Sequence, residues 1–173
     1  DVLADTDGSY WLTTWGSGLV HWDPRSDRRR YFLLDSLDPQ AYVENIFAGL
    51  EPGREGGFWV GTQEGLLHVD PVTGTQRSFA YDPTDTRSMA AGEVTELYRD
   101  RDGALWVGTQ TGLCMLDPGL NRFRSLPVRN GVHVGVEKPF ITGIAEVEGQ
   151  LYVGTDLGDG ILRMDPRTGA LEA

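Results

Sequence analysis

Few residues in this chain could carry out metal or nucleophilic chemistry, since its 173 residues include three histidines and one cysteine. His21 and His68 each lie two residues before an Asp-Pro pair. Imidazole nitrogens at matching places in two repeated segments could share a metal ion. The other two copies of the segment carry Met115 and Arg163 there and do not continue the pattern. We therefore expect no metal site and no catalytic role for these histidines.

The single cysteine offers no stronger signal. Cys114 lies between Leu113 and Met115, and no base accompanies it in the local sequence. A thiol becomes a good nucleophile when a nearby group lowers its pKa. The sequence predicts a small buried apolar residue instead. His133 falls within a long loop, where we expect it to face solvent.

Two acidic segments begin like calcium-binding loops. They read Asp5-x-Asp7-Gly8 and Asp100-x-Asp102-Gly103. An EF-hand loop also needs a glycine at its sixth position and a glutamate at its twelfth. Counting from Asp100, these positions hold Leu105 and Thr111. We therefore expect hairpin turns here, and no cofactor.

The composition limits the classes of partner. Acidic residues outnumber basic ones by 26 to 15, which gives a net charge of −11. Nucleic acids and anionic lipids bind positive surfaces, so neither is expected as the main partner. No run of about 18 apolar residues is present, and no signal peptide is visible. The chain opens on Asp1 rather than Met, so we expect a piece of a longer protein, with membrane contact only through other parts.

The elements that would position any site come from a fourfold repeat. Each copy has an aromatic residue in a short apolar segment, then a glycine with an apolar pair, then Asp-Pro. The anchor aromatics recur every 46 to 48 residues, at Trp11, Trp59, Trp106 and Tyr152. An aromatic row could stack on sugars, but recurrence at one strand position favours a place in the core between repeats.

Each repeat reads as four short antiparallel strands, because five-residue segments alternate apolar and small residues between turn residues. Four-stranded units of this length are typical of β-propeller blades. We predict an all-β propeller segment with blades at about 1–35, 42–81, 92–126 and 139–173. In the second blade we expect the first strand at Val43 to Ile46, followed by a hairpin with about four inserted residues. Both ends cut a blade, which predicts part of a larger ring.

The third copy carries the most specific motif. Its residues Arg87-Ser88-Met89, Asp102-Gly103, Leu105-Trp106-Val107-Gly108-Thr109, Gly112-Leu113 and Asp117-Pro118 resemble the two-component regulator propeller repeat. The resemblance implies seven-bladed rings in the periplasm, outside the cytoplasmic membrane of a bacterium. It also implies a membrane span that leads to a histidine kinase, often hybrid, or to another output such as a diguanylate cyclase. Some members sense breakdown products of polysaccharides, but the resemblance supplies no ligand residues.

Architecture alone predicts where a ligand would bind. Loops that join second to third strands, and loops between blades, lie together on one face around the channel of a propeller. Amides, carboxylates and aromatic rings there would suit a carbohydrate, a peptide or another small extracellular ligand. The candidates are Trp15, Gln63, Glu64, Gln110, Thr111, Asp156 and Asp159, with Tyr42, Arg87 and Lys138 from the loops between blades.

Two other functions stay open at this point. One is a propeller enzyme of the streptogramin-lyase type, which should place a histidine or paired carboxylates on the channel face. The other is a structural module for dimerisation, in which open blade faces are covered by neighbouring blades or by another copy of the chain. A non-catalytic sensor or binding module is favoured over both.

Overall fold

Strands make up all the regular secondary structure that the computed structural model describes. It describes residues 1–14, 17–32, 47–54, 56–117, 122–126, 140–156, 160–168 and 171–172. Across these ranges, sixteen strands form four antiparallel sheets of four strands each. No helix long and apolar enough to cross a membrane occurs in these ranges. The all-β fold with four-stranded blades is confirmed.

The strands follow the chain order within every sheet, so each blade is a simple meander. The first blade comprises β1 (Val2–Ala4), β2 (Tyr10–Thr14), β3 (Gly18–Asp23) and β4 (Arg28–Phe32). The second comprises β5 (Phe47–Pro52), β6 (Phe58–Thr62), β7 (Gly65–Val69) and β8 (Gln76–Phe79). The third comprises β9 (Val94–Arg99), β10 (Leu105–Thr109), β11 (Gly112–Asp117) and β12 (Arg122–Leu126). The fourth comprises β13 (Ile141–Val147), β14 (Gln150–Thr155), β15 (Ile161–Met164) and β16 (Leu171–Glu172).

The apolar core lies between blades rather than within one. The second and third strands are mostly buried, whereas β4 and most of β8 are exposed. Three clusters of buried side chains join the first blade to the second, the second to the third, and the third to the fourth. Each blade therefore needs a neighbour to cover its faces, as expected for a stacked repeat.

The repeated Gly-Thr pair has a packing role at these contacts. A Cβ on Gly61 would overlap the carbonyl oxygen of Ala48 in its own blade and lie 2.6 Å from Cγ1 of Val94 in the next, and one on Gly108 would lie 2.7 Å from Cγ2 of Ile141 in the next blade. Only glycine leaves room for that approach. The following threonine closes the hairpin, since Thr109 Oγ1 donates to the carbonyl of Gly112 at 3.1 Å. In the second and third blades, the glycine of the motif thus lets the next blade approach, and the threonine closes the hairpin.

A bulge recurs in the first strand of the last three blades. The register with the second strand shifts between Ala48 and Leu50, opposite Gly108 and Thr109, and between Ile141 and Gly143. Such an extra residue bends a strand and redirects its side chains.

The predicted first strand of the second blade, at Val43 to Ile46, was misplaced. Its first described strand is β5, and Leu50 pairs with Val60 as Leu97 pairs with Val107. The turn that follows has the same length as its counterpart, because Gly53 donates to Gly57 as Asp100 donates to Ala104. The hairpin therefore has no insertion, and residues 41–46 lie outside the described ranges.

Candidate functional site

The predicted channel-face residues of the third blade are held by their own loops. Gln110 is exposed, and its Nε2 donates to Oε2 of Glu93 at 2.7 Å. The hydroxyl of Thr111 donates to the carbonyl of Ala91. Arg87 is also exposed, and its Nε donates to Asp85 at 2.9 Å. These contacts order the loop surface.

The remaining predicted residues are either exposed or outside the described ranges. Gln63 and Glu64 are exposed in the turn between β6 and β7. Asp156 is exposed, and its N–H donates to the carbonyl of Phe140 at 3.3 Å. The residues outside the described ranges are Trp15, Tyr42, Lys138 and Asp159.

Two cavities occur at the opposite end of the blades, near the turns that follow the first and third strands. The larger, of about 450 Å³, lies between the second and third blades. The smaller, of about 290 Å³, lies between the third and fourth blades. None of the predicted channel-face residues lines either cavity.

The larger cavity, which we call the cationic cleft, combines positive charge with aromatic rings. Its lining includes Arg54, Arg77, Arg99, His68, Trp59 and Phe79, together with Gly103, Leu105, Leu116 and Asp117. Three guanidinium groups around one recess contrast with the net charge of −11 of the chain.

The indole of Trp59 forms one wall of the cleft and differs from its counterparts. In the third blade, Trp106 is fully buried, and its Nε1 donates to Oδ2 of Asp100 at 2.8 Å. The second blade has Gly53 where the third has Asp100. Trp59 lacks that carboxylate and is only half-buried, with its ring tilted against His68 at 4.6 Å between centroids.

Of the other two anchor aromatics, one resembles Trp106 and the other is exposed in part, as Trp59 is. Trp11 is 6% exposed, and its Nε1 donates to Asp5 at 2.9 Å. Tyr152 is half-buried. The expected core position therefore describes Trp11 and Trp106 well, and Trp59 and Tyr152 only in part.

Arg99 links the two blades at the cleft. Its Nη2 donates to the carbonyl of Pro52 at 2.6 Å, and its Nη1 donates to the carbonyl of Gly103 at 3.0 Å. Oε2 of Glu51 lies 3.8 Å from its Nε. Burial lowers the pKa of Arg99, although the nearby Glu51 carboxylate opposes this change. Burial likewise raises the pKa of Glu51.

The smaller cavity is organised by an ion pair between blades. The carboxylate of Glu146, whose side chain is 4% exposed, contacts the guanidinium of Arg101. It also accepts a hydrogen bond from the backbone N–H of Arg101 at 3.0 Å. This carboxylate fastens the turn of the third blade to the fourth, which is a structural role.

One cluster resembles a hydrolase triad but has the wrong connectivity. Ser9 Oγ lies 2.6 Å from Nε2 of His21 and 2.5 Å from Oδ1 of Asp7. In a catalytic triad the carboxylate contacts the imidazole, which activates the serine. Here the carboxylate contacts the serine, which is 4% exposed. The cluster therefore stabilises the turn, and His21 stacks on Trp11 at 4.4 Å between centroids.

Metal and thiol chemistry gain no support from the geometry. Within the described ranges, no group of three or more His, Cys, Asp and Glu side chains could hold a metal ion. The acidic turn of the third blade is a hairpin, since Gly103 donates to the carbonyl of Asp100 at 2.9 Å. Cys114 is fully buried, and burial raises the pKa of its thiol to about 12.

Comparisons with known proteins agree with this architecture. Residues 88–111, which include β9 and β10, match the family model described as two component regulator propeller. No significant match is found among curated protein sequences.

Solved structures share the fold over 99% of the chain. Two are extracellular domains described as parts of hybrid two component systems, BT3049 and BT4673, from B. thetaiotaomicron. They have TM-scores of 0.74 and 0.75 and identities of 20% and 18%. A third is virginiamycin B lyase from Staphylococcus aureus, with a TM-score of 0.69 and 15% identity, of which the chain covers 53%.

The chain spans only 24% and 21% of the first two of these structures. At these identities the likeness concerns the fold. The chain is thus a run of four β-propeller blades, and residues 88–111, at the third blade, match the two component regulator propeller model.

Proposed function

We propose that this chain is part of the extracytoplasmic sensor propeller of a bacterial two-component receptor. The observation that carries the proposal is the match of residues 88–111 to the two component regulator propeller family, within four consecutive blades. The likeness to extracellular domains of hybrid two component systems supports it. The segment itself would be non-catalytic, and the output would come from another part of the receptor.

The packing suggests how a propeller could pass on a binding event. Neighbouring blades touch through side chains set over glycines, and their turns are joined by contacts such as that of Arg101 with Glu146. A ligand that touched two blades would favour one angle between them. If the receptor couples this angle to its output, the ligand changes the output only as far as its affinities for the two blade arrangements differ.

Ligand contacts at the channel face stay a prediction. Gln63, Glu64, Gln110 and Asp156 are exposed and could meet a ligand or another domain. Trp15, Lys138 and Asp159 belong to the same predicted set, as does Arg87.

The proposal is tested in the full-length protein. Alkaline phosphatase fused beside the propeller should be active outside the cytoplasmic membrane of a bacterial host. A reporter of receptor output should respond to an extracellular ligand found by screening small glycans and peptides. The response should be lost with Gly108→Val, which pushes Ile141 away, and kept with Gly143→Val, since a Cβ on Gly143 meets no atom within 4 Å. A cytoplasmic fusion, or output that ignores both the ligand and Gly108→Val, would refute a sensor role.

A further inference from the structure

The cationic cleft lies at the contact between the second and third blades, where the side chains differ from those at the contact before it. Between the first and second blades, Phe58 packs on Trp11 with ring centroids 4.4 Å apart. The residue in register with Phe58 in the next blade is Leu105, since each begins its second strand opposite Val69 or Leu116. Leu105 is smaller than Phe58, and the cavity of about 450 Å³ opens beside it and Trp59. The fourth blade also has a leucine here, Leu151, yet Trp106 is fully buried, so the space at Trp59 depends on the other differences at this contact as well.

A second substitution supplies positive charge at the same place. Pro52 and Arg99 occupy matching positions at the ends of β5 and β9, opposite Phe58 and Leu105. The guanidinium of Arg99 is held by two backbone carbonyls, so its direction is fixed before any ligand arrives. A prearranged cation of this kind loses little entropy on binding an anion.

The outer wall adds a guanidinium stacked on an aromatic ring. Cζ of Arg77 lies 4.6 Å from the ring centroid of Phe79. Arg54 reaches the same recess from the preceding turn, where its Nη2 donates to the carbonyl of Asp102 at 3.3 Å. Acidic groups also lie near these arginines: Oε2 of Glu51 is 3.8 Å from Nε of Arg99, and Asp117 is part of the lining.

We propose that the cationic cleft binds a small ligand that carries an oxyanion on a ring. Guanidinium groups bind carboxylates, sulfates and phosphates through paired N–H donors. The half-buried face of Trp59 and the ring of Phe79 offer apolar surfaces for the ring of the ligand. Because the cavity touches both blades, the bound ligand would also hold their contact closed. This binding does not depend on the proposed sensor role.

Calorimetric titration of the full-length protein tests the proposal. Benzoate and D-glucuronate represent an aromatic and a sugar source of the same chemistry, and benzyl alcohol and D-glucose are their neutral counterparts. At least one anion should bind at least tenfold more tightly than its neutral counterpart, and the stronger anion identifies the source. Absence of binding by both anions, or equal binding of the neutral compounds, would overturn the proposal.

Variants locate the binding. Leu105→Phe should abolish it by filling the cleft as Phe58 fills the preceding one, and Arg77→Gln should weaken it at least tenfold. The matched control is Arg30→Gln, because Arg30 has the same register position and stacks on Phe32 at 5.4 Å beside the filled contact. Unchanged binding in Leu105→Phe, or an equal loss in Arg30→Gln, would overturn the assignment to this cleft. A thermal unfolding curve like that of the wild type would show that each variant is folded.

Discussion

The carboxylate of Asp100 should stabilise the third blade chiefly by accepting a hydrogen bond from the buried indole N–H of Trp106. Trp106 is fully buried and Asp100 is 8% exposed. One carboxylate oxygen accepts from Trp106 Nε1 at 2.8 Å, and the other accepts from the backbone N–H of Ala104 at 2.8 Å. A buried donor without a partner costs about 1–3 kcal/mol, and the Ala104 group is half-buried. Asp100→Ala should therefore lower the free energy of unfolding by about 2–4 kcal/mol.

A double-mutant cycle with Trp106→Phe isolates the indole contact. Phenylalanine has no N–H, so in that background Asp100→Ala should cost only about 1 kcal/mol, the share of the Ala104 bond. The coupling energy should be about 1–3 kcal/mol, as expected for a hydrogen bond to a charged group. Urea unfolding followed by far-UV circular dichroism measures all four proteins without relying on tryptophan fluorescence.

The same turn provides the control. Asp102 is exposed, and its backbone carbonyl accepts a hydrogen bond from Nη2 of Arg54. Asp102→Ala should change stability by less than about 0.5 kcal/mol. Additive effects of Asp100→Ala and Trp106→Phe, or equal losses in Asp100→Ala and Asp102→Ala, would show that the indole bond is not the source of the stability.

Three further results are expected. Gly108→Ala should cost about 1–3 kcal/mol by overpacking, and Gly143→Ala should cost less, which chemical unfolding would show; equal costs would contradict the proposed contact between blades. Cys114, with a thiol pKa of about 12, should resist a thiol reagent at neutral pH until the chain unfolds, and rapid labelling of the folded protein would contradict its burial. Hydrogen bonds from Thr73 hold the pKa of Asp70 below 3.8, so its stabilising effect is full above that pH and is lost as the pH falls through the lower folded value. Asp70→Ala should thus destabilise the protein at neutral pH and match the wild type in strong acid, and a difference independent of pH would argue against this ionisation.

The repeat made the fold predictable from sequence because most of the residues that shape the hairpins recur from blade to blade. Glycine at 61 and 108 lets the next blade approach, and threonine at 62 and 109 closes the hairpin, although the first blade has Thr13 in place of the glycine. The first strand of the second blade was harder to place. Val43 and Ile46 have strand-like spacing, but pairing with the rest of the blade selects β5.

The cationic cleft was missed for a physical reason. It depends on differences between copies of the repeat, with Gly53 where the first and third blades have Asp5 and Asp100, and Arg99 where the second blade has Pro52. A search for polar loops does not find a space between core side chains. Aligning the copies shows both differences, so comparing the residues at each strand end could have pointed to the cleft.

The fit of Val94 over Gly61, and of Ile141 over Gly108, also gives the row of blades a direction. The second and third blades each offer a recess at their glycine on one side, and the third and fourth blades each offer a branched side chain on the other side that fits the recess of the preceding blade. A recess does not complement another recess, so two such sides cannot join across a twofold axis. Blades that associate in this way must do so head to tail, and such a contact either closes a ring or continues without limit. A tandem gene duplication could therefore add a blade with both mating sides already in place.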